Sequence, residues 1–243
     1  MIEHHKIKTV LYSSEKIIAE MDIKKNDTGD IIDWIFKIND VEEMSMGSAI
    51  DYEYAFDSLL TPVLFNDLSL RNKVNWLTVG GADYQLAKFY KKNDVNNPSQ
   101  NSYVLVDPLA GKLRNLFSLV DPAISRVPFA REINLKFSDF MLDASDEFLF
   151  SFDIAIVDVS DPQNDTFLAP DEIYTTKFLE ELTMLMKLDS YVIMYEGENF
   201  MLDANEKDKI DIKVPKWFHL ISRKRAGYGY MSLWKVGDGT EYP

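Results

Sequence analysis

Short apolar runs separated by polar turns fill the chain up to about Met46. The segments 8–12 (KTVLY) and 16–23 (KIIAEMDI) are rich in β-branched residues, and 31–38 (IIDWIFKI) alternates around one buried face, so all three are expected as strands. The run KNDTGD at 25–30 supplies turn chemistry, because Asn, Asp and Gly tolerate the backbone angles that a reversal demands. Asn39 and Asp40 break the third run. The pattern predicts a hairpin or small sheet. Asp51 is positioned to cap a helix whose apolar residues Ala55, Leu59 and Leu60 recur at helical spacing, with Pro62 imposing a kink or a restart.

From Val74 the texture changes to strands alternating with helices, the pattern of a parallel sheet. Strands are expected at 74–79, 103–106, 133–137, 152–157 and 191–194, and helices at 85–90, 109–117 and 172–187. Two aromatic-rich runs, 217–222 and 230–236, suit a closing hairpin, with Arg223–Lys224–Arg225 as a solvated turn between them. This divides the chain into a β-rich unit at 1–48 and a Rossmann-like α/β unit at 49–243.

Composition narrows the function classes. With 46% hydrophobic residues the chain has material for a core, and no run approaches the apolar length that spans a bilayer. Zero cysteines and only three histidines exclude disulfides and argue against a metal centre, with His4–His5 read as a mobile terminus. The start lacks the apolar core of a signal peptide, so a cytoplasmic protein is expected. The net charge of −14 repels nucleic acid and favours a cationic small molecule.

In an open parallel sheet, ligands bind beyond the carboxyl ends of the strands. The sequence puts Asp83, Asp107, Asp139 and Asp158 after four successive strands. Carboxylates accept ribose hydroxyls and an adenine amine, and they face a cation, so the set suits a sulfonium nucleoside. A dinucleotide would want free helix N-terminal amides for its pyrophosphate, and Asp83 beside the Gly80–Gly81 turn would repel it. The P-loop lysine and hydroxyl are missing.

These residues resemble the polyamine aminopropyltransferases, the spermidine synthase family. GGADYQ at 80–85 is similar to the family's GGGDGG loop, and VLVDP at 104–108 to its VEIDP strand end. FDIAIVDVSDP at 152–162 resembles YDVIIVDSSDP, and EIYTTKFL at 172–179 resembles the LYTKEFY segment that follows it. The resemblance implies a class I methyltransferase-type Rossmann-like sheet behind a small β-rich domain, and a homodimer. It implies decarboxylated S-adenosylmethionine as co-substrate and a polyamine such as putrescine as acceptor. Asp158 would orient and deprotonate the attacking amine. Asp83 would hold the aminopropyl end, and Asp139 the adenine amine. Gly80, Gly81 and Asp107 would complete the nucleoside site, with Tyr228 or Tyr230 as the late substrate tyrosine. Asp57, Asp161 and Tyr174 would contact the acceptor.

The chain departs from the family where Leu105 replaces the ribose-binding glutamate, and where Tyr84 and Gln85 replace glycines. Two alternatives follow. Asp107 directly ending its strand suits an S-adenosylmethionine-dependent methyltransferase, although Asp83 fits a decarboxylated ligand better. Leu105 and Tyr84 suit a catalytically inactive, spermidine synthase-like binding protein.

Overall fold

A computed structural model describes residues 2–12, 17–70, 73–81, 101–122, 124, 131–143, 145–159, 175–196, 200–202, 210–227 and 229–237. The chain begins with an antiparallel meander of β1 (Glu3–Tyr12), β2 (Ile17–Lys25), β3 (Ile31–Ile38) and β4 (Val41–Ser45). His4 and His5 lie within β1, not in a loose terminus. Alternation sends Ala19, Met21 and Ile23 of β2, and Trp34, Phe36 and Ile38 of β3, into the core. The opposite face carries cross-strand ion pairs, with Lys6 and Lys8 on Glu20 and Lys24 on Asp33. Asn39 and Asp40 do more than break β3. Both have positive φ (49° and 67°), the conformation of a two-residue hairpin turn, and they lead into a fourth strand that the hydrophobic pattern did not reveal.

Helix α1 (Met46–Asn66) follows without a loop. Its cap is Ser45, not Asp51: the Ser45 hydroxyl accepts from the Ser48 amide, and the Ser48 hydroxyl accepts from the Ser45 amide. Asp51 lies inside the helix, and Pro62 is accommodated within its last turns without a restart. Tyr52, Ala55, Phe56, Leu59 and Leu60 form the buried face.

The large sheet comprises β5 (Asn75–Gly80), β6 (Ser102–Val106), β7 (Arg131–Ile133), β8 (Phe152–Asp158), β9 (Met186–Glu196), β12 (Phe218–Ala226) and β13 (Gly229–Val236), while β10 (Phe200–Leu202) and β11 (Ile210–Ile212) form a separate parallel pair. Its order is β12-β13-β9-β8-β5-β6-β7. The five strands from β9 to β7 run parallel, and β13 is antiparallel to both its neighbours. This is a Rossmann-like sheet of class I methyltransferase type, behind a small β-rich unit.

Several expected boundaries move. The segment after β6 is mostly turns, and only α2 (Arg114–Phe117) is helical. The third parallel strand is Arg131–Ile133, and Phe137, expected as its last residue, opens helix α3 (Phe137–Asp143). Helix α4 (Thr176–Leu185) starts at the Thr175 cap. It stops at Leu185, and Met186 and Lys187, expected in the helix, already open β9. Residues 85–90 and 172–174 of the expected helices lie outside the described residues.

Two apolar layers flank the sheet. One joins Leu105, Ile154, Ile156, Ile193, Met231 and Leu233 to α1 and the meander. Within it, Trp34 and Phe36 pack on Phe117 with ring centroids 6.1 and 4.8 Å away. The other joins Leu77, Val79, Val106 and Val157 to α3 and α4 through Phe137, Phe140, Phe178 and Leu182. Among the described residues, no helix is long and apolar enough to cross a membrane.

Midway along β9 the Tyr191 hydroxyl donates to Asp67 Oδ2 (2.8 Å), tying the sheet to the end of α1. The Ser69 hydroxyl, aided by Tyr191 and the Ser69 amide, holds the Asp67 carboxyl below its usual range. Burial, and then the Asp67 hydrogen bond, push the Tyr191 phenol up to about 12. The lowered carboxyl stabilises the fold above its unfolded value, and that contribution is lost as pH falls through the folded one. The raised phenol stabilises below 10.0, and its contribution is lost as pH rises from there towards about 12. Tyr191→Phe is therefore expected to cost about 1 kcal/mol at neutral pH. Melts taken against pH should also lose their alkaline decline in that window; an unchanged decline would assign it to other groups.

Candidate functional site

The sheet reverses direction of growth between β5 and β8. From β5 the chain builds outward through β6 to β7, then returns to lay β8 on the other side of β5. The crevice at such a switch point is where α/β sheets bind ligands. Gly80 ends β5 there and pairs in register with Asp158, which ends β8.

Backbone geometry explains the glycines. Gly80 has φ +79°, and a Cβ on it would strike the Asp158 carbonyl, lying 2.7 Å from its carbon and 2.6 Å from Val159 Cγ1. Gly81, at φ +67°, faces the Asp158 side chain instead: a Cβ there would sit 3.8 Å from Oδ2. Two left-handed glycines thus turn the chain directly beside the half-buried carboxylate of Asp158. These three predicted residues are brought together.

Asp107 directly follows β6, the next strand over. Its amide donates to the Ile133 carbonyl (3.1 Å), and its Oδ1 accepts from the Leu109 amide (2.6 Å), so one carboxylate oxygen organises its own turn. Leu105 is 1% exposed in the core shared with α1 and the meander. Asp139 is exposed in the first turn of α3. Asp57 is half-buried on α1. Tyr230, the second residue of β13, is in register with Glu196 on one side and Arg225 on the other. Asp83, Asp161, Tyr174 and Tyr228 lie outside the described residues, as do Tyr84 and Gln85.

The sequence reading missed Glu196. It ends β9 with 0% exposure, two strands along from the switch point, and Arg223 Nε and Nη2 both donate to its Oε1 (3.1 Å each). Tyr195 also went unremarked. Its ring lies 5.2 Å from that of Tyr52 on α1, and its hydroxyl stands 3.0 Å from where a Cβ on Gly229 would be. The available signal was a carboxylate following a buried strand run, the same one that drew attention to Asp158. Among the described residues, no group of three or more His, Asp or Glu is arranged to hold a metal.

No protein-family model matches the chain, and no curated protein matches it in sequence. Solved structures do match. A probable spermidine synthase from Corynebacterium glutamicum ATCC 13032 superposes with a TM-score of 0.54 at 15% identity, covering 100% of this chain and 82% of that one. Spermidine synthase from Thermotoga maritima gives 0.51 at 12% identity, covering 96% and 72%. The fold is that of the spermidine synthases. A spermidine synthase solved with the transition-state analogue AdoDATO gives 0.50 at 12% identity, covering 90% and 70%. The likeness to these spermidine synthases extends over the meander as well as the large sheet, since coverage of this chain is 90% or more in all three.

Proposed function

We propose that this chain is a divergent, spermidine synthase-like aminopropyltransferase, using decarboxylated S-adenosylmethionine and a cationic polyamine such as putrescine. The observation that carries the reading is the Asp158 carboxylate set against the Gly80–Gly81 turn at the switch point. A nucleoside can approach closely where glycines remove side chains, and a carboxylate there suits a ligand with a positive charge. The neutral amine of the acceptor attacks the aminopropyl carbon beside the sulfonium. A C–N bond forms as the C–S bond breaks, the electron pair leaves on sulfur as methylthioadenosine, and the amine's proton passes to Asp158. Such a reaction needs orientation and one proton acceptor, both within the means of carboxylates and tyrosines. In this reading Asp83 and Asp139 hold the aminopropyl and adenine ends of the donor.

Methyl transfer from S-adenosylmethionine is the second reading. It draws on Asp107, whose position at the tip of β6 lets it serve ribose where Leu105 is buried. Turnover separates the two. With decarboxylated S-adenosylmethionine and putrescine, mass spectrometry is expected to detect spermidine and methylthioadenosine. Methylated product from S-adenosylmethionine alone would favour the second reading. No product from either donor, with no nucleoside bound, would leave only a binding protein.

A further inference from the structure

Alternation along each strand decides which residues of the large sheet share a face. Ile154 and Ile156 of β8 pack into the core shared with α1 and the meander, and so do Tyr191 and Ile193 of β9. Asp158 and Tyr195 continue those two series, so both side chains lie on the α1 face. The β8–β9 ladder pairs Ile156 with Ile193 and Val157 with Met194, and Asp158 and Tyr195 come next on their strands. One strand spacing, about 5 Å, separates their backbones. Tyr230, in register with Glu196, falls on the opposite face, with Met194 and Trp234.

The strands β5, β8 and β9 are neighbours in that order. Across their tips run the Gly80–Gly81 turn, then Asp158, then Tyr195. Tyr195 is held from two sides. Its hydroxyl stands beside Gly229, on the flank of β9 away from Asp158. Its ring meets that of Tyr52 on α1, with centroids 5.2 Å apart and planes at 32°. Tyr52 is buried and rests in turn against Gly227 at the tip of the β12–β13 hairpin. Tyr195 itself stays half-buried, although the four residues before it, Tyr191 to Met194, are buried. The ring is fixed without being closed off.

In a direct displacement the nucleophile enters opposite the departing sulfur. With the nucleoside over the glycine turn, the acceptor comes from the far side of Asp158, where Tyr195 is the adjacent side chain on that face. We infer that Tyr195 selects a diamine acceptor: its ring and hydroxyl hold the charged, non-reacting amine, while Asp158 takes the proton of the amine that attacks. That role rests on the transfer reaction proposed above. The face of a tyrosine ring attracts an ammonium group, more strongly where water is excluded. A monoamine of the same length gives the ring no charge to hold.

Three variants test this. Tyr195→Leu removes the ring and Tyr195→Phe the hydroxyl alone, while Tyr191→Phe, earlier on the same strand and face, controls for lost stability. Putrescine and butylamine are compared as acceptors, and putrescine is also titrated calorimetrically onto the methylthioadenosine complex, which needs no turnover. Tyr195→Leu should raise KM for putrescine, and weaken its binding, about tenfold. Its KM for butylamine and its affinity for methylthioadenosine should stay within about twofold, so the preference for the diamine collapses. Tyr195→Phe should keep most of that preference, and Tyr191→Phe should melt lower with the preference intact. Equal losses for putrescine and butylamine in Tyr195→Leu, or an unaltered preference, overturn the assignment. An unaltered chain that binds putrescine but forms no spermidine would sink the transfer reaction alone, and the putrescine affinities of the variants would still decide the role of Tyr195. An unaltered chain that binds no putrescine would sink both.

Discussion

Asp158→Asn is expected to lower kcat by roughly a hundred- to ten-thousandfold, the range that a positioned proton acceptor supplies. Affinity for methylthioadenosine should be largely retained. Asparagine keeps the size of the side chain and one acceptor oxygen, but it cannot take a proton from the attacking amine. Asp158 lies at the end of β8, beside Gly81 and in register with Gly80, so its backbone is fixed by the sheet whatever the side chain does. If the substitution lowered melting temperature and nucleoside affinity together, the carboxylate would be a structural element of the β5–β8 contact. Steady-state rates, calorimetry and a thermal melt on the same preparation distinguish these outcomes.

Gly80→Ala is expected to be the more damaging of two neighbouring substitutions. Gly80 combines a left-handed backbone with no room for a methyl group, which would meet the Asp158 carbonyl and Val159 Cγ1. Overpacking against backbone together with the left-handed penalty should cost about 2–4 kcal/mol. For a chain of this length that corresponds to a fall in melting temperature of about 5–15 °C. Because the methyl group would force β5 away from β8, nucleoside binding should also suffer. Gly81→Ala has the same backbone demand, at φ +67°, but its Cβ would come no nearer than 3.4 Å to Thr78 Cγ2. Its cost should stay near ~1–2 kcal/mol. Equal effects at the two positions would show that backbone conformation alone matters and that the close β5–β8 approach does not.

The alternation of strands and helices from Val74 onward was legible because a strand buried on both faces leaves a continuous apolar run. VNWLTV and FDIAIV are such runs, and both became central strands of the sheet. The glycine pair and Asp158 were legible for the same reason, since each ends one of those runs. The carboxylate layer was only partly so. Asp139 follows a segment whose alternating Ile133, Leu135 and Phe137 read as strand, yet the chain leaves the sheet after Ile133 and Phe137 starts a helix. Periodicity over so few residues does not separate the two.

At the other edge, Arg223, Lys224 and Arg225 looked like a turn because cations are rare in buried strands. They stand on the outermost strand, where long charged side chains are common and discourage edge pairing. Arg223 in addition has a partner on β9, which no local pattern could reveal. Ser45 escaped notice as a helix cap because it is also the last residue of β4, and the usual polar loop between strand and helix is missing. Leu105, singled out where the resembled family has a glutamate, is buried in the core shared with the meander. The side chain packs inward, where a glutamate would be costly.

The most direct test of an adenosine site at the β5–β8 switch point is a crystal structure of the Asp158→Asn chain, the form expected to bind without turning over, with methylthioadenosine. The nucleoside should lie over Gly80 and Gly81, with its sulfur towards residue 158 and its base towards Asp139. A nucleoside bound elsewhere on the chain, or none bound at saturating concentration, would contradict the proposed site.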